Sequence, residues 1–395
     1  MKLTQLPNCA LALLLAAAPI AGAAAPDPYE INVLLPLTGA VSFIGIPEEQ
    51  TLRAVEAWAN RTGGIGGRPV KFVVLDDQSN PQIDVQLAAQ VFTKGVPVML
   101  GPTMTAQCNA VSPLVKEGPV IFCFTSGVHP PPGSFVFGFG ASTDNVMSVS
   151  TRYLSMSGAK RIAVITPTDA TGQDGDRMAE AAVAEDRSLT IVDREHFNPG
   201  DTTVAAQLSR IKATNPQALI AWTTGAPLAT VLRGMQESGL DIPVLTTPGN
   251  ITYEQMKQYA AFLPKGLIFP GPLFLATDQL SDRATKDAIK TFLSDLGALG
   301  VKPDQAHNST YDAAMLIVLA LRKAGPTATA SQVRDYLATT KGWRGINGEY
   351  DFRGVPQRGL AKDAIIMVRW EPTKGTWVPI SKPGGVPLTS RLPAN

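Results

Sequence analysis

The sequence predicts an α/β fold of two lobes, each a parallel sheet covered by helices on both faces. Three observations predict it. Short apolar strands alternate with amphipathic helices along most of the chain. The order of elements before Phe139 recurs after it, at an offset of about 120–130 residues, as expected for a second domain of the same design. The loops that follow the strands are small and hydroxylic at matching places in both blocks.

In chain order, "INVLLPL" is the first strand, and Glu48–Asn60 is a helix with Leu52, Val55 and Trp58 along one face. The glycines of "GGIGGRP" stop that helix, and "VKFVVLDD" returns as a strand. "NPQIDVQLAAQVFTK" is a helix and "VPVML" a strand. "AQCNAVSPLVKE" is a helix interrupted at Pro113, and "PVIFCF" is the next strand. The second block runs "RIAVITP", a helix over Gly175–Asp186, "LTIVDREHF", a helix over Val204–Thr214, "ALIAW", a helix over Ala226–Ser238, and "IPVLTT". Beyond it, "GLIFPGPLF" reads as an extended crossing segment. Lys286–Leu296, Ser309–Ala324 and Ser331–Ala338 are helices, "GINGEYDFRGVPQRG" is turn-rich, and "DAIIMVRWE" is a last strand. A chain crossing repeatedly between lobes would place these pieces without a third domain. The expected division is 26–140 with 271–350 in the first lobe and 141–270 with 351–395 in the second, joined as a hinge.

Residues 1–25 read as a secretory signal peptide. Lys2 precedes the apolar run "ALALLLAAAPIAGAAA", and cleavage is expected near Ala25. The run is short and broken by Pro19, which argues against a membrane anchor, and Cys9 precedes it, which argues against lipid attachment. The expected compartment is the periplasm. The chain carries 34 Lys and Arg against 33 Asp and Glu, so losing Lys2 with the leader leaves no net charge. No basic stripe is visible, which argues against nucleic acid and membrane surfaces as partners. A monomer is expected. Cys108 and Cys123 fall at the same edge of one sheet, either as a disulfide or as two buried thiols.

Catalysis finds no support. His129, His196 and His307 stand apart, with no acid or cysteine at metal-ligand spacing. There is no G-x-S-x-G and no P-loop, and "GGIGGRP" follows a helix and precedes a strand, the reverse of a dinucleotide fingerprint. No enzyme, cofactor or metal is expected. The strand ends say more, because ligands of open parallel sheets bind beyond the carboxyl ends of the strands. Here those ends read "PLTGAVSFIG", "GPTMTA", "FTSG", "TPTDATGQ", "WTTGAP" and "TTPGN". Facing each other, they would line a cleft with hydroxyls and backbone N–H groups and almost no charge. Thr103 and Thr105 lie beside the free N–H groups of a helix start, which attract an anion.

"PLTGAVSFIG", "NRTGGIGGRPVKFVVLDDQSNP", "GPTMT", "ATGQDG" and "TYDAAMLIVLALRKAG", in this order over the mature chain, resemble the periplasmic solute-binding proteins of branched-chain amino acid ABC transporters. The resemblance implies the type I periplasmic binding protein fold: two doubly wound, Rossmann-like lobes, a hinge of three crossovers, and closure on a small ligand. It also implies delivery to a membrane permease with no chemistry. The family's carboxylate anchor falls on Thr105, with Thr103 and Met104 beside it, and further contacts fall on Thr125 and Ser126. Backbone N–H groups and neutral hydroxyls suffice to bind an anion there, so no Arg is required.

The ammonium contacts of the family's amino-acid binders fall on Gly225–Ala226 and near Pro248, and the aromatic of its "YG" position falls on Thr171. None supplies an acid, and a buried ammonium without one is costly. The expected ligand is therefore a carboxylate without an amine. Phe43, Ile44, Phe124, Trp222 and Tyr311 would edge the volume opened at Gly225 and Ala226. Burying one ring contributes roughly 3–4 kcal/mol, and micromolar binding needs about 8 kcal/mol, so the acid site must supply the rest. An aromatic acid or aromatic 2-oxo acid fits, as in a benzoate-, cinnamate- or phenylpyruvate-like molecule. The alternatives are an amino acid with Asp169 as counter-ion, and a sensory domain of the same fold. The exported leader favours transport.

Overall fold

The computed structural model describes Met1 and residues 26–264, 266–389 and 391–392. The leader expected over residues 1–25 lies outside the described residues apart from Met1.

The first lobe is a five-stranded parallel sheet in the order β2-β1-β3-β4-β5. Its strands are β1 (Tyr29–Leu35), β2 (Val70–Asp76), β3 (Val98–Leu100), β4 (Val120–Cys123) and β5 (Val136–Gly138). Between them run α1 (Ser42–Arg61), α2 (Pro81–Phe92) and α3 (Thr105–Val111). α1 starts six residues before the expected Glu48, with Pro47 inside it. The proline forgoes only one helical bond, so it did not mark the boundary. α2 starts where the sequence places it: Asn80 accepts from Gln82 N, and Pro81 takes the first helical position. α3 has seven residues and passes into a 3-10 turn over Ser112–Leu114, which contains Pro113.

The second lobe adds α4 (Thr143–Met156), β6 (Arg161–Pro167), α5 (Ala170–Glu185), β7 (Thr190–Phe197), α6 (Ala205–Ala213), β8 (Ala218–Ala221), α7 (Ala226–Ser238), β9 (Val244–Thr246), α8 (Tyr253–Gln258) and β10 (Leu267–Pro272). Three helices follow, α9 (Arg283–Gly297), α10 (Gln305–Ala324) and α11 (Ala330–Thr339), which pack on α1 and the first sheet. The hairpin β11 (Lys341–Gly345) and β12 (Gly348–Asp351) comes next, then β13 (Ile365–Glu371) and β14 (Thr376–Pro379). The second sheet has the order β14-β13-β10-β9-β8-β6-β7, with β13 and β14 antiparallel. The chain crosses between the lobes after β5, after β10 and after β12.

Period-two alternation explains why helices cover both faces of the second sheet. Ile162, Val164, Ile220, Leu245 and Ile268 pack in one cluster with Val146, Met147 and Leu154 of α4. Their alternates Ala163, Ile165, Leu219, Val244 and Phe269 pack with Leu208 of α6 and Leu228 of α7. Three features depart from expectation. α4 was not read from the sequence, because serines and threonines separate its apolar residues. β10 belongs to the second sheet through Pro272, past the boundary expected at 270. β13 is not the last strand, since β14 pairs with it.

Candidate functional site

Strand order reverses beside β1 in the first sheet and beside β6 in the second. At those points neighbouring loops diverge and leave a crevice. The two crevices face each other and enclose a cavity of about 130 Å³.

The first-lobe corner is built on Gly101, whose φ is +81° and whose added Cβ would collide with Leu34 O. That close approach turns the chain so that Thr103, Met104 and Thr105 meet the cavity. Thr105 Oγ1 lies 2.9 Å from Thr125 Oγ1, which also accepts from Gly127 N at 3.2 Å. Two hydroxyls hold two protons and their mutual bond uses one. One hydroxyl proton therefore stays available to a ligand. A disulfide joins Cys108 to Cys123, so the two corners are tied covalently close to both threonines.

Behind this corner stands a cation. Arg358 is 3 % exposed, and its guanidinium donates to Phe139 O at 2.8 Å, to Ser126 O at 2.8 Å, and to the carbonyls of Thr125 and Val128. Burial lowers its pKa to about 10, which leaves it charged at neutral pH. It forms no ion pair among the described residues. The guanidinium faces these carbonyls rather than the cavity wall, and it places a buried positive charge behind Thr125 and Ser126.

Thr103 faces another way. Its hydroxyl donates to Glu48 Oε2 at 2.6 Å, and Ser309 Oγ lies 2.9 Å from Glu48 Oε1. Ser309 also bonds Ala306 O at 2.8 Å. A serine has one proton. Given to Ala306, it leaves Ser309 to accept a bond from a protonated Glu48. Full burial pushes the Glu48 pKa up to about 8, in keeping with that arrangement.

The second-lobe corner is held by Asn250, which is fully buried. Its Nδ2 donates to Thr223 O at 2.7 Å and has Thr246 Oγ1 and Thr247 Oγ1 within reach of its second proton, and its Oδ1 accepts from Gly225 N. Thr224 Oγ1, on the cavity wall, lies 2.8 Å from Thr247 Oγ1, which is also within reach of Thr223 O at 3.2 Å. Asp174 of α5 lines the same wall. Its Oδ1 bonds His129 Nε2 at 2.7 Å and Arg177 Nη2 at 3.1 Å, while its buried Oδ2 has no partner.

A cleft between two switch-point crevices, with an anion corner and no catalytic constellation, is what a solute receptor needs. A family model described as "Periplasmic binding protein" matches residues 28–376. The chain belongs to the periplasmic binding protein family. It is a binding protein of the type I fold, not an enzyme. A curated relative is the leucine-, isoleucine-, valine-, threonine-, and alanine-binding protein of Pseudomonas aeruginosa, 25% identical over 329 residues, covering 80% of this chain and 84% of that one. Among solved structures, an extracellular ligand-binding receptor from Rhodopseudomonas palustris HaA2 superposes with a TM-score of 0.80 at 21% identity, over 90% of this chain and 100% of that one. The branched-chain amino acid transporter substrate binding protein LivJ from Streptococcus pneumoniae, in complex with isoleucine, gives 0.73 at 18% identity, over 90% and 99%.

In this periplasmic binding protein, Ile44, Thr103, Met104, Thr105, Phe124, Thr125, Ser126, Thr171, Trp222 and Pro248 all lie at the cavity. Phe43 and Gly225 do not line it but meet each other between the lobes. Two expectations are corrected. Ala226 is exposed at the start of α7, because the φ of +78° at Gly225 carries the chain out of the cleft. Tyr311 is buried on α10, edge-on to Phe292 at 4.9 Å, in the core of the first lobe. Asp169 caps α5 through Gly172 N at 2.8 Å and does not line the cavity. Sequence reasoning missed Glu48, Asp174 and Arg358, none of which carries a local signal. Among the described residues, no cluster of three His, Cys, Asp or Glu could hold a metal, and no helix is long and apolar enough to cross a membrane.

Proposed function

We propose that this chain is the extracytoplasmic substrate-binding component of an ABC importer, closing on a small carboxylate and delivering it to a membrane permease. One observation carries the reading: the spare hydroxyl proton at Thr105 and Thr125, backed by the buried charge of Arg358. The helix start contributes little, since α3 is seven residues long. Size narrows the ligand. An apolar cavity of about 150 Å³ admits benzene, so about 130 Å³ suits one ring or one branched aliphatic chain.

Phe124, Phe139 and Trp222 on the cavity wall favour a single-ring aromatic acid. Asp174 favours a second reading, an amino acid, because it restores the cleft acid that the sequence lacked at Gly225 and Pro248. The Pseudomonas aeruginosa relative, named for five amino acids, agrees with the second. Calorimetric titration with benzoate, phenylpyruvate, 4-methylpentanoate and leucine tests the proposal. At least one carboxylate should bind in the micromolar range, and mass spectrometry of the co-purifying small molecule should return a carboxylate. A co-purifying cation or neutral sugar would end the reading.

A further inference from the structure

Asp174 is 3 % exposed, yet half of its carboxylate is unanswered. Oδ1 takes two donors, and they come from different places. Arg177 lies one turn along the same helix, while His129 lies on the loop after β4 in the first lobe. The His129 bond therefore crosses from lobe to lobe at the edge of the cavity. Oδ2 has neither a protein donor nor solvent. A buried carboxylate oxygen without a donor is costly, and the space beside this residue is the ligand cavity. The other buried acid at the site, Glu48, is already answered by Thr103 and Ser309. One end of the cavity offers a hydroxyl proton to an acid, and the other carries a carboxylate oxygen without a donor.

We infer that Asp174 is a specificity-determining residue that receives a hydrogen-bond donor of the ligand on Oδ2, while His129 on Oδ1 completes that geometry only when the lobes meet. The ligand class is then a small carboxylate that carries a second, donating group, an amine or a hydroxyl. This rests on the carboxylate reading above and adds the donating group that the ligand must carry.

The test uses matched probes on the full mature chain: benzoate against 4-hydroxybenzoate, and 4-methylpentanoate against leucine. In the wild type, the donor-bearing member of at least one pair should bind about tenfold or more tighter than its parent, as expected for a bond to a charged acceptor. Asp174→Asn should bring that ratio to within about threefold. Melting curves of Asp174→Asn and Asp174→Glu confirm that the variant being titrated is folded, and Asp174→Glu should restore part of the discrimination. His129→Gln should reduce the ratio less than Asp174→Asn and should speed dissociation of the donor-bearing ligand. Equal affinity within both wild-type pairs, or a ratio unchanged in Asp174→Asn, overturns the inference and leaves the carboxylate proposal standing. Failure of every probe to bind overturns both.

Discussion

The ring of Phe43, on the first lobe, meets the backbone of Gly225 on the second: a Cβ added at Gly225 would sit 3.3 Å from Phe43 Cε1. Gly225 has φ +78° and ψ −140°, a conformation that residues with a side chain rarely adopt. Gly225→Ala should therefore lower stability by about 1–3 kcal/mol and weaken ligand binding, because the added methyl strains the closed contact. Ala226→Tyr is the control. Its exposed position predicts unchanged affinity in a calorimetric titration, and a strong loss would place Ala226 in the cleft after all.

The two corner threonines should separate by their partners. Thr105→Ala removes a hydroxyl facing the ligand and should weaken carboxylate binding by about 1–3 kcal/mol. Thr103→Ala leaves Glu48 short of a donor and should show mainly as a lowered melting temperature. The opposite pattern would mean that Thr103, not Thr105, holds the acid.

Buried acids give the fold a pH dependence of defined sign. Desolvation raises Glu48 from 4.5 to about 8 and also raises Asp77 and Asp84, which lie close to each other. Their folded forms keep protons that the unfolded chain releases. The stability these three acids contribute is thus full at low pH, falls as pH rises from about 4.5 to about 8, and levels off above. The loss should be on the order of a few kcal/mol. Glu48→Gln should flatten the curve of melting temperature between pH 5 and about 8.5, and a curve parallel to wild type would show that Glu48 does not titrate there.

Cys108 and Cys123 are 15 residues apart. Replacing both by serine should cost about 2–4 kcal/mol in denaturant unfolding, as for a loop of this length. It should also weaken ligand binding, since Thr105 and Thr125 lose the link that sets their spacing. Unchanged affinity with lowered stability would show that packing alone holds the corners.

Ligand closure should be visible in solution. The crossings after β5, β10 and β12 leave the lobes free to rotate once Phe43–Gly225 and His129–Asp174 part. X-ray scattering should report a smaller radius of gyration with bound ligand than without, and superimposable profiles would argue against a hinge.

The sequence by itself determined the alternation of elements, the two sheets and the chemistry of the strand-end corners. These depend on periods of two and 3.6 residues and on turn composition, which are local. The helix start after β3 pointed to Thr103 and Thr105, and the family resemblance pointed to Thr125 and Ser126. α4 was hidden, since "TDNVMSVSTRYLSM" dilutes its apolar face with hydroxyls that nevertheless bond back along the helix, as Ser150 does to Val146 O. Only the tertiary structure decided which aromatic residue is core and which lines the cleft: Tyr311 and Trp222 look alike in sequence and differ in what docks against them. The same holds for charge. Arg358 reaches the carbonyl of Ser126, 232 residues away, and Glu48 reaches Ser309, 261 residues away. A side chain's neighbours across such spans are set by how two lobes and three crossings pack, and no local pattern encodes that packing.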